Sequence, residues 1–483
     1  MLKYRIALIL ISLVGYFSPS YGQHDYTIKF KINGLKDTTC MLVYYYSNGT
    51  YIKDTLKFDH SGRCTYKAPA TLQKGLYALV ITEKNYFDFV INNEYKFSLE
   101  TNVVDPTRHL VIKDSPDNEL FYEYMKFNRE SFEQIQNLQN KIKPAPAKND
   151  SLAPGKDVKD SNAYYNDKIN AMNKDLIAYR LGLVKKHPES FIALMINTMK
   201  EPDIPENPVL PNGRKDSLYA YRFYTSHFWD DVTFLDDRVL RTPVFHNKLK
   251  KYFDNVLIQH VDTVMHEADI LIERARPNQE MFKYILWFVT YHYENSDIMG
   301  FDRIFVHVVD KYYATGQTTW LSKEQNEKVI KRANKIHPIL LGEKAPNMIM
   351  TDTTIQWVSM HAIQAKYLLV VFWDPDCGHC EKEIPIIRDF YDQNKDKYGM
   401  KIFAVCTDTS LVKWKNGIIK KKMNWINVDG PRTLTGDYHE QYDINSTPVI
   451  LLLDEEKNII AKRLAADKIG YFLDHYIQEH KKK

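Results

Sequence analysis

The sequence predicts a multidomain chain with three structural classes in series: an N-terminal antiparallel β sandwich or barrel, a central all-α helical domain, and a C-terminal α/β domain. Three observations carry this reading. Between residues 26 and 112, short β-type runs are separated by turn pairs such as Asn33-Gly34, Asn48-Gly49 and Ser61-Gly62, the pattern of strands joined by tight turns. From about residue 115 the apolar period lengthens to three and four residues, placing Phe121, Tyr124, Met125, Phe132, Ile135, Leu138 and Ile142 on one helix face. Beyond Gly342, strand-like and helix-like segments alternate, as in a layered α/β domain. A length of 483 residues also argues for more than one domain.

The first 22 residues read as a cleavable export leader. Lys3 and Arg5 supply the positive start, residues 6–14 are an unbroken apolar run, and Ser20 and Gly22 place small residues before a cut at Gln23. The apolar run is shorter than the roughly 20 residues a spanning helix needs, so the mature chain is expected to be exported to the periplasm or cell envelope without stable membrane insertion. A net charge of +4, with no basic stripe interleaved with aromatics, excludes a nucleic-acid partner. Export changes how the five cysteines are read. Cys40 and Cys64 are either a pair or two separate buried thiols. Cys406, in the apolar run 401–407, is expected to be an inert core thiol.

The β-rich domain is assigned to residues 23–114 and shows no catalytic constellation. The helical domain is assigned to 115–337, with helices expected over 164–186, 190–200, 216–228, 245–275 and 279–294. Segments 144–160 and 201–214, rich in proline, are expected loops. His260 and His266 are six apart, too far for a helical pair on one face, and the other histidines form no metal-ligand spacing. No metal and no cofactor are expected.

Residues 342–483 form the third domain. A continuous apolar run at 367–373 predicts a buried central strand. A helix opens at Cys377, carrying Ile384, Ile387 and Tyr391 at helical steps. Strand 400–407, helix 411–421, strand 425–428, strands 449–453 and 459–463 as a hairpin, and a terminal helix over 468–480 follow. That order is the thioredoxin fold.

The chemistry lies in Cys377-Gly378-His379-Cys380. Thiol–disulfide exchange needs an attacking thiolate and a second thiol close enough to resolve the mixed disulfide. Cys377, at a helix N-terminus where free amides favour an anion, is the expected nucleophile; Cys380, one turn further in, is the resolving thiol. Half of a zinc site is the alternative reading of this spacing, but it lacks a second pair. His379 is positioned to stabilise the thiolate, whereas Asp374 and Asp376 oppose it. Glu383 falls on the same helix face and is a candidate proton acceptor for Cys380. Thr447-Pro448, before strand 449–453, is where this fold places a cis-proline facing the cysteines, beside which a substrate chain can pair.

Several motifs together resemble the TlpA/ResA-like branch of exported bacterial thioredoxins: Gly342-x-x-Ala345-Pro346, Phe372-Trp373-x-Pro375-x-Cys377-Gly378-His379-Cys380, Glu381-Lys382-Glu383-Ile384-Pro385 and Thr447-Pro448. The resemblance implies a redox-active Cys377–Cys380 disulfide, Glu383 as the branch's acidic residue, and Trp373, Thr447 and Pro448 as substrate-binding positions. It implies cysteine-containing exported proteins as substrates, a membrane electron donor or thiol-redox partner, and the reducing direction. Gly378-His379 and Thr447 resemble disulfide isomerases instead, which leaves isomerase or oxidase activity open. A thiol peroxidase is disfavoured, because Asp374 stands where those proteins resemble a Thr or Ser pattern. A third possibility is an envelope binding or assembly protein whose N-terminal two-thirds selects clients. The N-terminal part is similar to β-rich and helical domains of unknown function.

Overall fold

The computed structural model describes residues 25–142 and 156–480; the expected leader lies outside them. The chain divides into two compact units between Val256 and Leu257.

The first unit opens with eight strands: β1 Tyr26–Asn33, β2 Thr38–Tyr46, β3 Gly49–Phe58, β4 Arg63–Ala68, β5 Gly75–Thr82, β6 Asn85–Ile91, β7 Lys96–Asn102 and β8 Val111–Lys113. They form two four-stranded sheets, ordered β4-β1-β7-β8 and β3-β2-β5-β6. Alternation places Tyr26, Ile28, Phe30 and Ile32 of β1 inward, in a core shared with Leu42, Phe58, Leu79, Phe89 and Leu99. Two expectations are corrected. The sheets stay open, each with two edges, so no closed barrel is seen among the described residues. The arrangement is also not wholly antiparallel, since β1 and β7 pair in parallel. The chain passes through the second sheet between them, and that long crossover lets it return in the same direction. Cys40 and Cys64 face this core as free thiols.

Helices α1 Pro116–Gln139, α2 Lys156–Lys186, α3 Phe191–Met199, α4 Tyr219–His227 and α5 Pro243–Lys251 complete the first unit. Pro116 suits the first helical turn of α1, where a missing N–H costs nothing. Asn118 then pairs with Val90 of edge strand β6, accepting from its amide at 2.7 Å and donating to its carbonyl at 2.8 Å. Backbone groups left open at the sheet edge are thereby satisfied.

The helix expected over 245–275 is interrupted. α5 gives way to a π turn at Tyr252–Val256, and His260 is extended (φ −120°, ψ 134°) where the next helix is capped. Asp254, Asn255, Val256 and Ile258 are weak helix formers, and the chain breaks there.

The second unit begins with α6 Val261–Ala275, α7 Gln279–Glu294, α8 Asp302–Val308 and α9 Lys323–Ile336. The last is entered through a capping box between Ser322 and Gln325. A seven-stranded sheet follows: β9 Ile349–Asp352, β10 Trp357–Ser359, β11 Tyr367–Trp373, β12 Met400–Cys406, β13 Ile426–Thr433, β14 Val449–Leu453 and β15 Ile459–Lys462, ordered β10-β9-β13-β12-β11-β14-β15. Helices α10 Gly378–Tyr398, α11 Leu411–Lys421, α12 Tyr438–Tyr442 and α13 Ile469–His480 accompany it.

Strand β11 is central, parallel to β12 and antiparallel to β14, and all seven of its residues are buried. Leu369, Val371 and Trp373 face a core with Ile384 and Trp414, while Leu368, Val370 and Phe372 face another with Phe403 and Tyr442. Burial on both faces is why its sequence reads as an unbroken apolar run. This mixed α/β sheet is thioredoxin-like, and the chain as a whole joins N-terminal β-sheets, a central helical region and this C-terminal layer.

Candidate active site

The site grows from the C-terminal end of β11. Four residues after Trp373, Cys377 caps α10 with extended backbone (φ −76°, ψ 120°), and its Sγ accepts from the Cys380 amide at 3.3 Å. The Cys377 amide donates to the Asp374 carbonyl at 3.3 Å, closing the turn. A helix N-terminus presents unpaired N–H groups and the positive end of its dipole, and the sulfur sits where both act on it. Opposite lies the segment before β14, whose Thr447-Pro448 peptide bond is cis. The Cys377 thiol donates to the Thr447 carbonyl at 3.1 Å.

The two cysteines are chemically unlike. Cys380 is fully buried, and burial pushes its thiol up to about 12. Cys377 is partly exposed. Burial pushes it upward too, but hydrogen bonding from the Thr447 side chain, from Cys380 and from the His379 amide outweighs that and holds it below an ordinary thiol. Its bond to the Thr447 carbonyl favours the protonated thiol, so the thiolate-favouring groups act against that contact as well.

The neighbouring carboxylates are largely compensated. Lys413 donates to Asp376 at 2.6 Å. Glu381, in the first turn of α10, is held by Lys421 and by Lys420 at 2.9 Å, and these lysines pull its carboxyl down to about 2. His379 is exposed at the helix start. Glu383 lies one turn on, partly buried, with Oε2 accepting from the Ala466 amide at 2.9 Å. Trp373 is fully buried and underlies the site. A Cβ added to Gly417 of α11 would lie 2.9 Å from its ring, so only glycine lets the helix approach this closely. Cys406 is a buried thiol of the same core, pushed up to about 12 by burial.

The structure therefore brings Cys377, Cys380, Thr447 and Pro448 together, with His379 outside, Glu383 along the helix and Trp373 below. One group escaped the sequence reading. Asp443, with a side chain only 2% exposed, follows α12 and takes a bidentate fork from Arg332 of α9 at 2.6 and 2.9 Å. The two are 111 residues apart, and no local spacing announces such a pair.

Comparison with known proteins agrees with this geometry. A thioredoxin-like family matches residues 364–459, and two domains of unknown function, DUF4369 and DUF5106, match residues 26–121 and 162–337. The C-terminal region thus has a distant thioredoxin/ResA-like superfamily relationship, and domains of unknown function precede it. Among particular relatives, the chain is 24% identical over 140 residues to the thiol-disulfide oxidoreductase ResA of Bacillus cereus, covering 29% of this chain and 78% of that one. A solved domain described as a possible thiol-disulfide isomerase, from Cytophaga hutchinsonii, is 39% identical, covering 30% of this chain and 99% of its own, with a TM-score of 0.29. A thioredoxin-like protein from Bacteroides caccae is 21% identical over 58% of this chain and 99% of its own, with a TM-score of 0.47. Fold and spacing together are consistent with a redox-active site and support oxidoreductase activity in general.

Proposed function

We propose that this protein is an exported, periplasmic thiol–disulfide oxidoreductase acting on cysteine-containing proteins, in the reducing direction. The observation that carries the exchange chemistry is the asymmetry of the pair, a partly exposed Cys377 held below an ordinary thiol at a helix N-terminus and a buried Cys380 pushed up to about 12, while the reducing direction follows the similarity to ResA. The first is disposed to attack and the second to wait.

In the first step the Cys377 thiolate attacks one sulfur of a client disulfide. The client S–S bond breaks, a mixed disulfide forms, and the departing client sulfur takes a proton. Cys380 then loses its proton, with Glu383 or solvent as acceptor, and attacks Cys377 Sγ. The client leaves with both sulfurs reduced, and the protein keeps the Cys377–Cys380 disulfide. Two electrons have passed to the client, and an external dithiol, delivered from a membrane donor, restores the pair. Thr447 and Pro448 face the incoming chain, and Trp373 supports the floor. Replacing Glu383 with Gln is expected to slow resolution about tenfold while leaving attack unchanged, read by stopped-flow decay of a preformed mixed disulfide. Equal resolution rates would remove Glu383 from the mechanism.

A second reading, disulfide isomerase or oxidase, is favoured by the exposed His379 at the helix start. An imidazolium there stabilises the thiolate and makes the disulfide more oxidising. Titration against glutathione buffers separates the two: a potential near about −270 mV marks a reductase and one near about −180 mV an isomerase-like protein.

A further inference from the structure

The helical segment of the second unit reaches the redox site through a defined chain of polar contacts. Arg332 of α9 is held from behind by Glu294 of α7, its Nε at 3.2 Å from Oε1. Its guanidinium grips both oxygens of Asp443 in the planar fork that arginine alone provides. Asp443 sits at positive φ (54°) immediately after α12, where the chain turns toward the cysteines. Its Oδ1 also accepts from the Asn445 side chain at 3.0 Å. Two residues further on, the Thr447 carbonyl meets the Cys377 thiol at 3.1 Å. Lys335 and Arg463 stand 3.8 and 3.6 Å from the same carboxylate.

Burial opposes ionisation of Asp443, yet Arg332, Asn445 and Lys335 together hold its carboxyl below the usual range. A buried charge kept ionised by a partner on another element fixes the position of both. Here one partner belongs to a helix outside the α/β layer, and the other begins the five-residue segment that ends at Thr447.

We propose that Arg332 is a positioning residue for thiol exchange: its fork on Asp443 anchors residues 443–447 and so sets the Thr447 carbonyl and side chain against Cys377 Sγ. The helical segment is, on this reading, part of the redox machinery. The inference rests on the thiol-exchange function proposed above and assigns it a group outside the α/β layer. Loosening the 443–447 segment withdraws two opposed groups together, the Thr447 carbonyl that favours the thiol and the Thr447 side chain that favours the thiolate, and the net lowering of Cys377 shows that the thiolate-favouring contact prevails. The apparent titration of Cys377 then moves upward, and its reactivity at neutral pH falls.

The test uses the full, reduced chain and the pH profile of iodoacetamide alkylation at Cys377, followed by peptide mass spectrometry. Arg332→Gln is expected to shift the profile upward and to slow alkylation at pH 7 by about threefold to tenfold. Arg332→Lys keeps the charge without the fork and should recover part of the loss. Arg303→Gln is the control: Arg303 of α8 donates to the Leu341 carbonyl at 2.6 Å, tying helix to α/β layer away from residues 443–447. It should lower thermal stability without moving the profile. Because Arg332→Gln leaves a buried carboxylate short of its main counter-charge, Asn445→Ala serves as a second variant, cutting the same chain nearer the site with the ion pair intact. It should move the profile in the same direction. A folded Arg332→Gln with the wild-type profile overturns the proposal, as does an equal shift from Arg303→Gln or no shift from Asn445→Ala. If wild-type Cys377 fails to exchange with oxidised glutathione, the functional reading itself falls; if it exchanges and only the variants are silent, this inference alone falls.

Discussion

The chain carries two pairs of neighbouring cysteines, and their contrast shows what makes a thiol reactive. Cys40 and Cys64 face the core of the β sandwich, on strands of different sheets. Burial, then the nearby Cys64, pushes Cys40 up to about 11, and burial followed by Asp59 and Asp54 raises Cys64. Both are thereby kept as thiols. Cys377 and Cys380 are also close, and burial opposes ionisation in both, yet Cys377 alone is lowered. The difference is the set of donors around Cys377 Sγ: the Thr447 side chain first, then Cys380 and the helix-end amides of Cys380 and His379. Neighbouring cysteines are common to both regions; donors aimed at one sulfur are not.

The sharpest way to break this comparison is to remove one cysteine from each pair. Cys377→Ser should reduce exchange with a protein disulfide by about a thousandfold or more, since no second nucleophile of similar reactivity remains. Cys40→Ser should leave exchange within about twofold and instead cost roughly 1–2 kcal/mol of stability, from placing a hydroxyl in an apolar core. Insulin reduction and urea melts separate these outcomes. Competitive alkylation of the reduced chain at pH 7 sharpens the contrast further. Cys377 should react at least about tenfold faster than Cys40, Cys64, Cys380 or Cys406, and comparable labelling of Cys40 would contradict the role given to the donors around Cys377.

Packing beneath the site gives a third expectation. Gly417→Ala puts a methyl 2.9 Å from the Trp373 ring, and something must shift. The loss should be about 1–3 kcal/mol, read as a lower urea midpoint.

The smallest effect concerns pH. Asp443 is held below the ordinary carboxyl value of 3.8 by the groups that outweigh its burial. Its contribution is therefore complete above the unfolded value and is lost as pH falls through the lower folded one. Asp88, on β6 of the sandwich, behaves oppositely: burial raises it to about 6, against the Tyr45 hydrogen bond. Its contribution is complete below the unfolded value of 3.8 and is lost as pH rises through about 6. Asp443→Asn should flatten the acid arm of the stability profile below pH 4, and Asp88→Asn the slope between pH 4 and 6, both read from urea midpoints across the pH series.

How much of this was legible in the sequence follows from the range of the interactions involved. Strand β11 was readable because burial on both faces leaves a continuous apolar run. The Cys377–Cys380 pair was readable because it lies within four residues, at a strand-to-helix turn. The parallel pairing of β1 with β7 was not, since alternation says which face of a strand is buried but not which neighbour it takes. The break between α5 and α6 was hidden for a related reason: apolar spacing continues through Phe253, Val256 and Leu257 while local propensity fails. The Arg332–Asp443 fork is purely tertiary. Neither residue stands out in its own helix or turn, and only the fold makes them partners.

The most direct test of the central claim is equilibration of the full chain with glutathione buffers of graded potential, followed by mass tagging of each cysteine. The account predicts one two-electron transition that oxidises Cys377 and Cys380 together, with Cys406 tagged as a free thiol throughout. Free thiols at Cys377 and Cys380 across the whole series, or oxidation of one without the other, would contradict it.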